Sequence, residues 1–231
     1  MKKKIIARIV SFFIIYMLTY LGMIYPDTKL EESLWNEGYR IVVGLDEAGR
    51  GPLAGPVVAG AVVIGDNSQI VDIVADSKKM TKKRREMAFD LIMEKSLSFG
   101  IGVVSSGDID HLGIQKAVLK AMGIALEVLE KRLNEKADYI IADGENILTI
   151  PNYKMKKINK GDTLHYSIAA ASVLAKVERD RIMYKYAEKY PLYGFDSHVG
   201  YGTKVHMEAI MKYGICDIHR RSFRPISEYI N

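Results

Sequence analysis

The chain has a single cysteine, Cys216, in 231 residues. That excludes an internal disulfide framework and a cysteine zinc cluster, and it suits a reducing compartment such as the cytoplasm. There is no internal repeat and no low-complexity segment, so the length fits one large domain, or one domain with an appendage. An acidic balance is also lacking: 33 Lys and Arg stand against 28 Asp and Glu, for a formal charge of +5 and a pI near 9.0. A basic surface points to an anionic polymer such as nucleic acid. Hydrophobic content of 48% and charged content of 26% are ordinary for a globular protein, and a core is easily built at this size.

The first residues stand apart. Met1-Lys2-Lys3-Lys4 is a basic start, and Ile5 to Ile24 is mostly apolar, with no formal charge from Ile9 onward. This stretch is near the length that spans a bilayer, and Arg8 is close enough to one end to snorkel. No small-residue cleavage site precedes Pro26. Residues 1–28 therefore read as an apolar extension with three explanations: a membrane anchor, a helix docked on the domain, or a start placed too far upstream. The lysines would hold the N-terminus inside and send the remainder outside. That conflicts with intracellular work on nucleic acid, so a cytoplasmic location is expected, with membrane association left open.

The stretch around which the rest is organised runs from Val42 to Pro52. Ile41, Val42 and Val43 are β-branched and favour a buried strand. That strand ends in two adjacent acids, Asp46 and Glu47, and then breaks into the turn Gly49-Arg50-Gly51. Two carboxylates at the end of a buried strand are costly to desolvate unless a cation is present. A divalent metal is the usual solution, because hard cations take carboxylate oxygens. The glycines allow close approach of the backbone to a ligand, and Arg50 presents one guanidinium to it. Together these residue types suggest metal-assisted work on a phosphate; the alternative is a tight turn with a surface ion pair.

Further along, Leu30 to Trp35 reads as a short helix, and Val57 to Ile64 as a second strand antiparallel to the first. Phe99 to Val104 is a third strand candidate. Asp76 to Glu86 holds six basic residues, Lys78 among them, with Thr81 placed to cap the helix that follows. That run is either a solvated helix face or a phosphate-backbone contact. Apolar residues at helical spacing from Ile114 to Leu133 belong to one helix over 109–133. Ala137 to Gly144 is a strand ending in Asp143, the same arrangement as Asp46; Asp143 is otherwise a turn residue before Gly144. Lys154, Lys156, Lys157 and Lys160 form a basic loop, after which Asp162 is a good N-cap for the helix through Ser167 to Lys176. Glu178, Arg179, Asp180 and Arg181 read as structural ion pairs. Tyr201, between two glycines, is expected to be exposed and able to stack on a sugar or base; the alternative is an aromatic lid on the core. His219-Arg220-Arg221-Ser222-Phe223-Arg224 is a basic cluster that reads as a solvated tail.

These motifs, taken in order, resemble ribonuclease HII. They are DEAGRGPLAGPV from Asp46 to Val57, DSKKMT from Asp76 to Thr81, ADG from Ala142 to Gly144, GDTLHYSIAAASVLAKVERDR from Gly161 to Arg181, GYGT from Gly200 to Thr203, and IHRRSF from Ile218 to Phe223. Val199 departs from the family pattern, which usually has Lys before Gly-Tyr-Gly. The resemblance implies an α/β, RNase H-like fold over residues 29–231: a central mixed sheet flanked by helices, with a helical C-terminal part. It implies cleavage of the RNA strand of RNA–DNA hybrids, and incision at ribonucleotides embedded in duplex DNA, with Mn2+ or Mg2+ as cofactor. Asp46, Glu47, Asp143 and Asp162 would form the metal-binding catalytic site. Gly49, Arg50 and Gly51 would contact the ribonucleotide, Tyr201 would pack against its sugar, and Lys78 would be a phosphate contact. Two divalent ions held by four acids can activate a water and stabilise the leaving 3′-oxygen. No side-chain nucleophile is apparent, and none is needed. The expected products carry a 5′-phosphate and a 3′-hydroxyl, and the expected state is a monomer.

Overall fold

The computed structural model describes residues 25–229. The apolar stretch at the start, and with it the anchor reading, lies outside them. The first described residues already seat on the body: Asp27 N–H donates to the Leu164 carbonyl, and Tyr166 N–H donates to the Asp27 carbonyl. Among the described residues, no helix is long and apolar enough to cross a membrane.

Among the described residues, five strands form one sheet. They are β1 (Val42–Ala48), β2 (Val57–Val63), β3 (Ser98–Val104), β4 (Tyr139–Asp143) and β5 (Met155–Ile158), in the order β3-β2-β1-β4-β5. The first three pair antiparallel; β4 lies parallel to β1, and β5 parallel to β4. The antiparallel pairing of β1 with β2 agrees with the sequence. The fifth strand does not: the lysine-rich segment expected to be a loop pairs along β4. Lysines blunt an edge strand against further pairing, and this strand sits at the sheet edge.

Helices cover both faces. On one face lies α4 (Ile114–Leu133), after α1 (Lys29–Asn36), α2 (Lys82–Lys95) and α3 (Ser106–Leu112). The single helix expected over 109–133 is therefore two. Ser105 caps α3 through the Asp108 N–H, and Gly113, at φ 77°, breaks the path before α4. Ala117, Ala121, Met122, Ala125 and Leu129 of α4 pack on Val57, Ala59 and Ala61 of β2. On the other face, α6 (Tyr166–Lys189) follows the one-turn α5 (Gly161–Leu164). Its Ala169, Ala170, Ala171 and Val173 pack with Phe89 and Ile92 of α2, which Thr81 caps at the Arg84 N–H. Each fully buried Ile or Leu here contributes about 1.5–3 kcal/mol.

Glycines let these layers close. A Cβ at Gly44 would collide with the Ser167 backbone, and one at Gly60 with the Ala171 carbonyl. The end of β1, where the acids sit, is thus held directly against α6. The helical C-terminal part is built from the end of α6, α7 (Phe195–His198) and α8 (Lys204–Tyr213). Its core joins Met183, Phe195, Ile210, Ile218 and Ile226 to Leu53 and Ala54 from the connection between β1 and β2.

Candidate active site and metal centre

Parallel pairing of β1 and β4 carries Asp46 and Asp143 to the same end of the sheet. Asp162, on α5, completes the group. Asp46, Asp143 and Asp162 each offer one carboxylate oxygen, and these oxygens lie within 4.8 Å of one another. Asp162 is not the N-cap that its position suggested: Lys160 holds that place, with φ 56°, and Asp162 lies inside the turn, facing the other acids. Asp143 is fixed by the Gly161 N–H, which donates to its Oδ1 at 2.6 Å. Asp46 accepts from the Glu47 N–H at 2.7 Å.

The electrostatics are those of a site short of positive charge. Burial, then the neighbouring Glu47 and Asp143, push Asp46 well above the usual carboxylate range. Burial also raises Glu47, against the opposing pull of Arg50, whose Nη1 lies 3.2 Å from Glu47 Oε1. Asp143 is raised by burial and then by Asp162, with the Gly161 N–H opposing. Glu47 Oε2 is buried and has no hydrogen-bond partner among the described residues. Converging carboxylate oxygens, raised acids and an orphaned buried oxygen together fit a hard divalent cation, which prefers oxygen ligands.

A cavity of about 230 Å³ opens over this group. Asp46, Glu47 and Asp143 form its floor; Gly49, Arg50, Gly51, Lys78 and Tyr201 form its walls. Tyr201 is 46% exposed, so it is not a lid on the core. The site residues expected from sequence are thus brought together, with Asp162 reached through its contact with Lys78 at 3.3 Å.

Other wall residues were not singled out from the sequence. Ser77 and Ser172 hydrogen-bond each other at 3.0 Å. Lys176 lies one turn beyond Ser172 and pairs with Asp180 at 2.7 Å. Spacing of four on α6 is the signal that could have found them. Two expectations need correction. Among the described residues Arg179 makes no carboxylate pair: its Nε donates to the Pro56 carbonyl and its Nη2 to the Ala54 carbonyl. His219 and Arg220 are not a solvated tail; they are 1% and 0% exposed. Arg181 does pair, with Glu86, and Asp180 pairs with Lys176. Val199 holds φ 44°, an uncommon conformation for a β-branched residue.

Comparison with known proteins identifies the family. The family model for ribonuclease HII matches residues 43–226. A ribonuclease HII from Caldicellulosiruptor bescii is 48% identical over 195 residues, covering 84% of this chain and 92% of its own. The crystal structure of ribonuclease H2 from Pyrococcus horikoshii OT3 superposes with a TM-score of 0.68 at 27% identity, covering 81% of this chain and 96% of that one. Bst-RNase HIII, solved in complex with Mn2+, shares the fold: TM-score 0.65, 18% identity, 82% of this chain and 68% of that one. The matched residues take in every acid of the cluster, both walls of the cavity and most of the C-terminal part, and on that ground the chain belongs to the ribonuclease HII family.

Proposed function

We propose that this chain is a divalent-metal-dependent endoribonuclease. It cleaves the RNA strand of RNA–DNA hybrids and incises duplex DNA at embedded ribonucleotides, leaving 5′-phosphate and 3′-hydroxyl ends. One observation carries the reading: three carboxylate oxygens within 4.8 Å of one another lie beside a cavity walled by the Gly49-Arg50-Gly51 turn and Tyr201. Family membership and the Mn2+ complex of the structural neighbour support it.

Asp46, Asp143 and Asp162 would hold the metal, with Glu47 supplying its free Oε2 as a fourth ligand. A bound divalent ion supplies a Lewis acid for the phosphate and lowers the pKa of a water near it. Each of the chain's own residues has a separate task. The acids are ordered by the main chain: Gly161 N–H holds Asp143, and Glu47 N–H holds Asp46, so the ligand set needs little rearrangement. The backbone at Gly49 to Gly51 approaches the ribose and senses the 2′-hydroxyl, the group that distinguishes RNA from DNA. The Tyr201 ring supplies the opposite wall against the sugar. Lys78, with an exposed ammonium at the rim, meets a phosphate of the substrate.

The test is cleavage of a duplex DNA carrying one ribonucleotide, with and without divalent metal. Metal-dependent incision on the 5′ side of that ribonucleotide is expected. Activity on long hybrids alone would reassign the substrate to that of a sister nuclease. Activity on neither would remove the catalytic reading.

A further inference from the structure

Arg220 is fully buried, yet among the described residues it makes no ion pair. Its guanidinium is surrounded by carbonyls of the connection between β1 and β2. Nη2 donates to Gly49 at 2.6 Å and to Pro56 at 3.1 Å, Nη1 to Arg50 at 2.9 Å, and Nε to Gly55 at 3.0 Å. A buried cation requires such replacement of its water. The arrangement also fixes the other edge of each peptide. In a planar trans peptide the C=O and the following N–H point in opposite directions. With the Gly49 and Arg50 carbonyls turned back onto Arg220, the N–H groups of Arg50 and Gly51 face away from it. Neither donates to a backbone acceptor among the described residues, and both belong to the cavity wall.

His219, the preceding residue, acts on the opposite wall. Cys216 N–H donates to His219 Nδ1 at 2.9 Å, closer than the 3.3 Å from that nitrogen to the Cys216 carbonyl, and this assigns the His219 proton to Nε2. That proton points to His206 Nε2, 3.0 Å away. His206 therefore carries its own proton on Nδ1, which meets the Tyr201 carbonyl at 2.9 Å. A backbone N–H sets the direction of the whole chain, and only neutral rings satisfy it. Burial pushes both imidazoles down to about 4, in keeping with this.

We propose that His219 and Arg220 are a pair of positioning residues for ribonucleotide recognition. Arg220 aims the Arg50 and Gly51 N–H groups into the cavity, and His219, through His206, fixes the Tyr201 backbone across from them. A Cβ placed on Gly51 would lie 3.8 Å from the Tyr201 ring, so the two walls are set against each other at this point. The proposal rests on the reading of this cavity as the ribonucleotide subsite.

The experiment measures binding, by fluorescence anisotropy, of an all-DNA duplex and of the same duplex with one ribonucleotide. It is done with the full chain in an Asp143→Asn background, so that cleavage does not intrude. The ratio of the two affinities is the readout. Arg220→Lys keeps the charge and loses the fork; it is expected to lower the ratio about tenfold, as for misplaced hydrogen-bond donors, with all-DNA affinity unchanged. His206→Leu is expected to lower the ratio as well, and His206→Asn, which can still donate to the Tyr201 carbonyl, to restore it. A folded Arg220→Lys protein with the parent's ratio overturns the proposal. Should that variant not fold, the His206 pair decides: equal ratios in Leu and Asn overturn it, and rescue by Asn supports it. A parent that binds both duplexes alike overturns the ribonucleotide reading itself, and this inference with it.

Discussion

Lys78 Nζ lies 3.3 Å from Asp162 Oδ2, joining a side chain that is 77% exposed to one that is 5% exposed. The ammonium thus neutralises one acid of the cluster from the solvent side. Burial opposes the Lys78 charge, but Asp162 and then Asp46 outweigh it and raise the lysine above its ordinary value. On the proposed function, the same cation would compete with a metal for Asp162 and would be released toward substrate when the metal binds. Lys78→Met should therefore shift two affinities in opposite directions. Mn2+ binding without nucleic acid is expected to tighten by up to about fivefold, the scale of an exposed ion pair. Hybrid binding is expected to weaken. Calorimetry with Mn2+ and anisotropy with a hybrid check the two, and a shift of both in the same direction would refute the competition.

Asp143→Asn should abolish cleavage and leave hybrid binding intact. The Asn Oδ1 can still accept from Gly161 N–H, so the loop before α5 keeps its anchor. On the proposed site, loss of the charge would remove a direct metal ligand, and the activity should fall by more than the ~100-fold typical of an outer-shell partner. Full activity in this variant would sink the metal-site assignment.

The raised acids have a consequence for pH. Asp46, Glu47 and Asp143 all stand above their ordinary values of 3.8, 4.5 and 3.8 in the folded chain. Between those ordinary values and the raised ones, the native state binds more protons than the unfolded state. The contribution of these three acids to stability without metal is then greatest on the acid side of this window and falls as pH rises through it. Metal requires the ionised carboxylates, so its binding releases protons and strengthens with pH. His206 and His219, pushed down to about 4, act in the opposite sense between about 4 and 6.5. The acids are therefore read by difference: in chelator, the melting temperature of the parent minus that of Asp46→Asn should fall as pH rises above the ordinary carboxylate range, and Mn2+ should stabilise the parent. A difference that rises with pH in chelator would contradict the assigned shifts.

Helix α6 has no side-chain cap of its own at His165. Glu31, on α1, supplies one: its Oε1 accepts from Ser167 N–H at 2.9 Å and from Ser167 Oγ–H at 2.7 Å. Glu31 is fully buried. Glu31→Ala should cost about 1–3 kcal/mol by leaving these donors unsatisfied. Glu31→Gln should recover most of that, because the acceptor oxygen is kept. Urea denaturation measures both, and equal losses would point to packing instead of capping.

The parts of the fold that the sequence announced are those fixed by local chemistry. The β-branched run before Asp46, the Asp-Gly ending at Asp143 and the Thr81 cap each depend on a few neighbouring residues. What misled was set by distant partners. Arg220 looks solvated beside Arg221 and Arg224, and only carbonyls 164 to 171 residues away make its burial tolerable. Likewise Lys154, Lys156 and Lys157 resemble a loop until β4 offers an edge to pair with. Asp162 has an N-cap's composition, but Lys160 takes the left-handed position and moves the helix start forward.

The contacts of Gly44 with Ser167 and of Gly60 with Ala171 give the acidic centre a fixed gauge. Main chain rests on main chain at both points, one helical turn apart on α6. No rotamer can relax there, so exchange of core side chains elsewhere leaves the separation of sheet and helix untouched. Amide hydrogens along this seam should be among the last to exchange with solvent. The surrounding surface is free to change its charges while the spacing needed for chemistry persists.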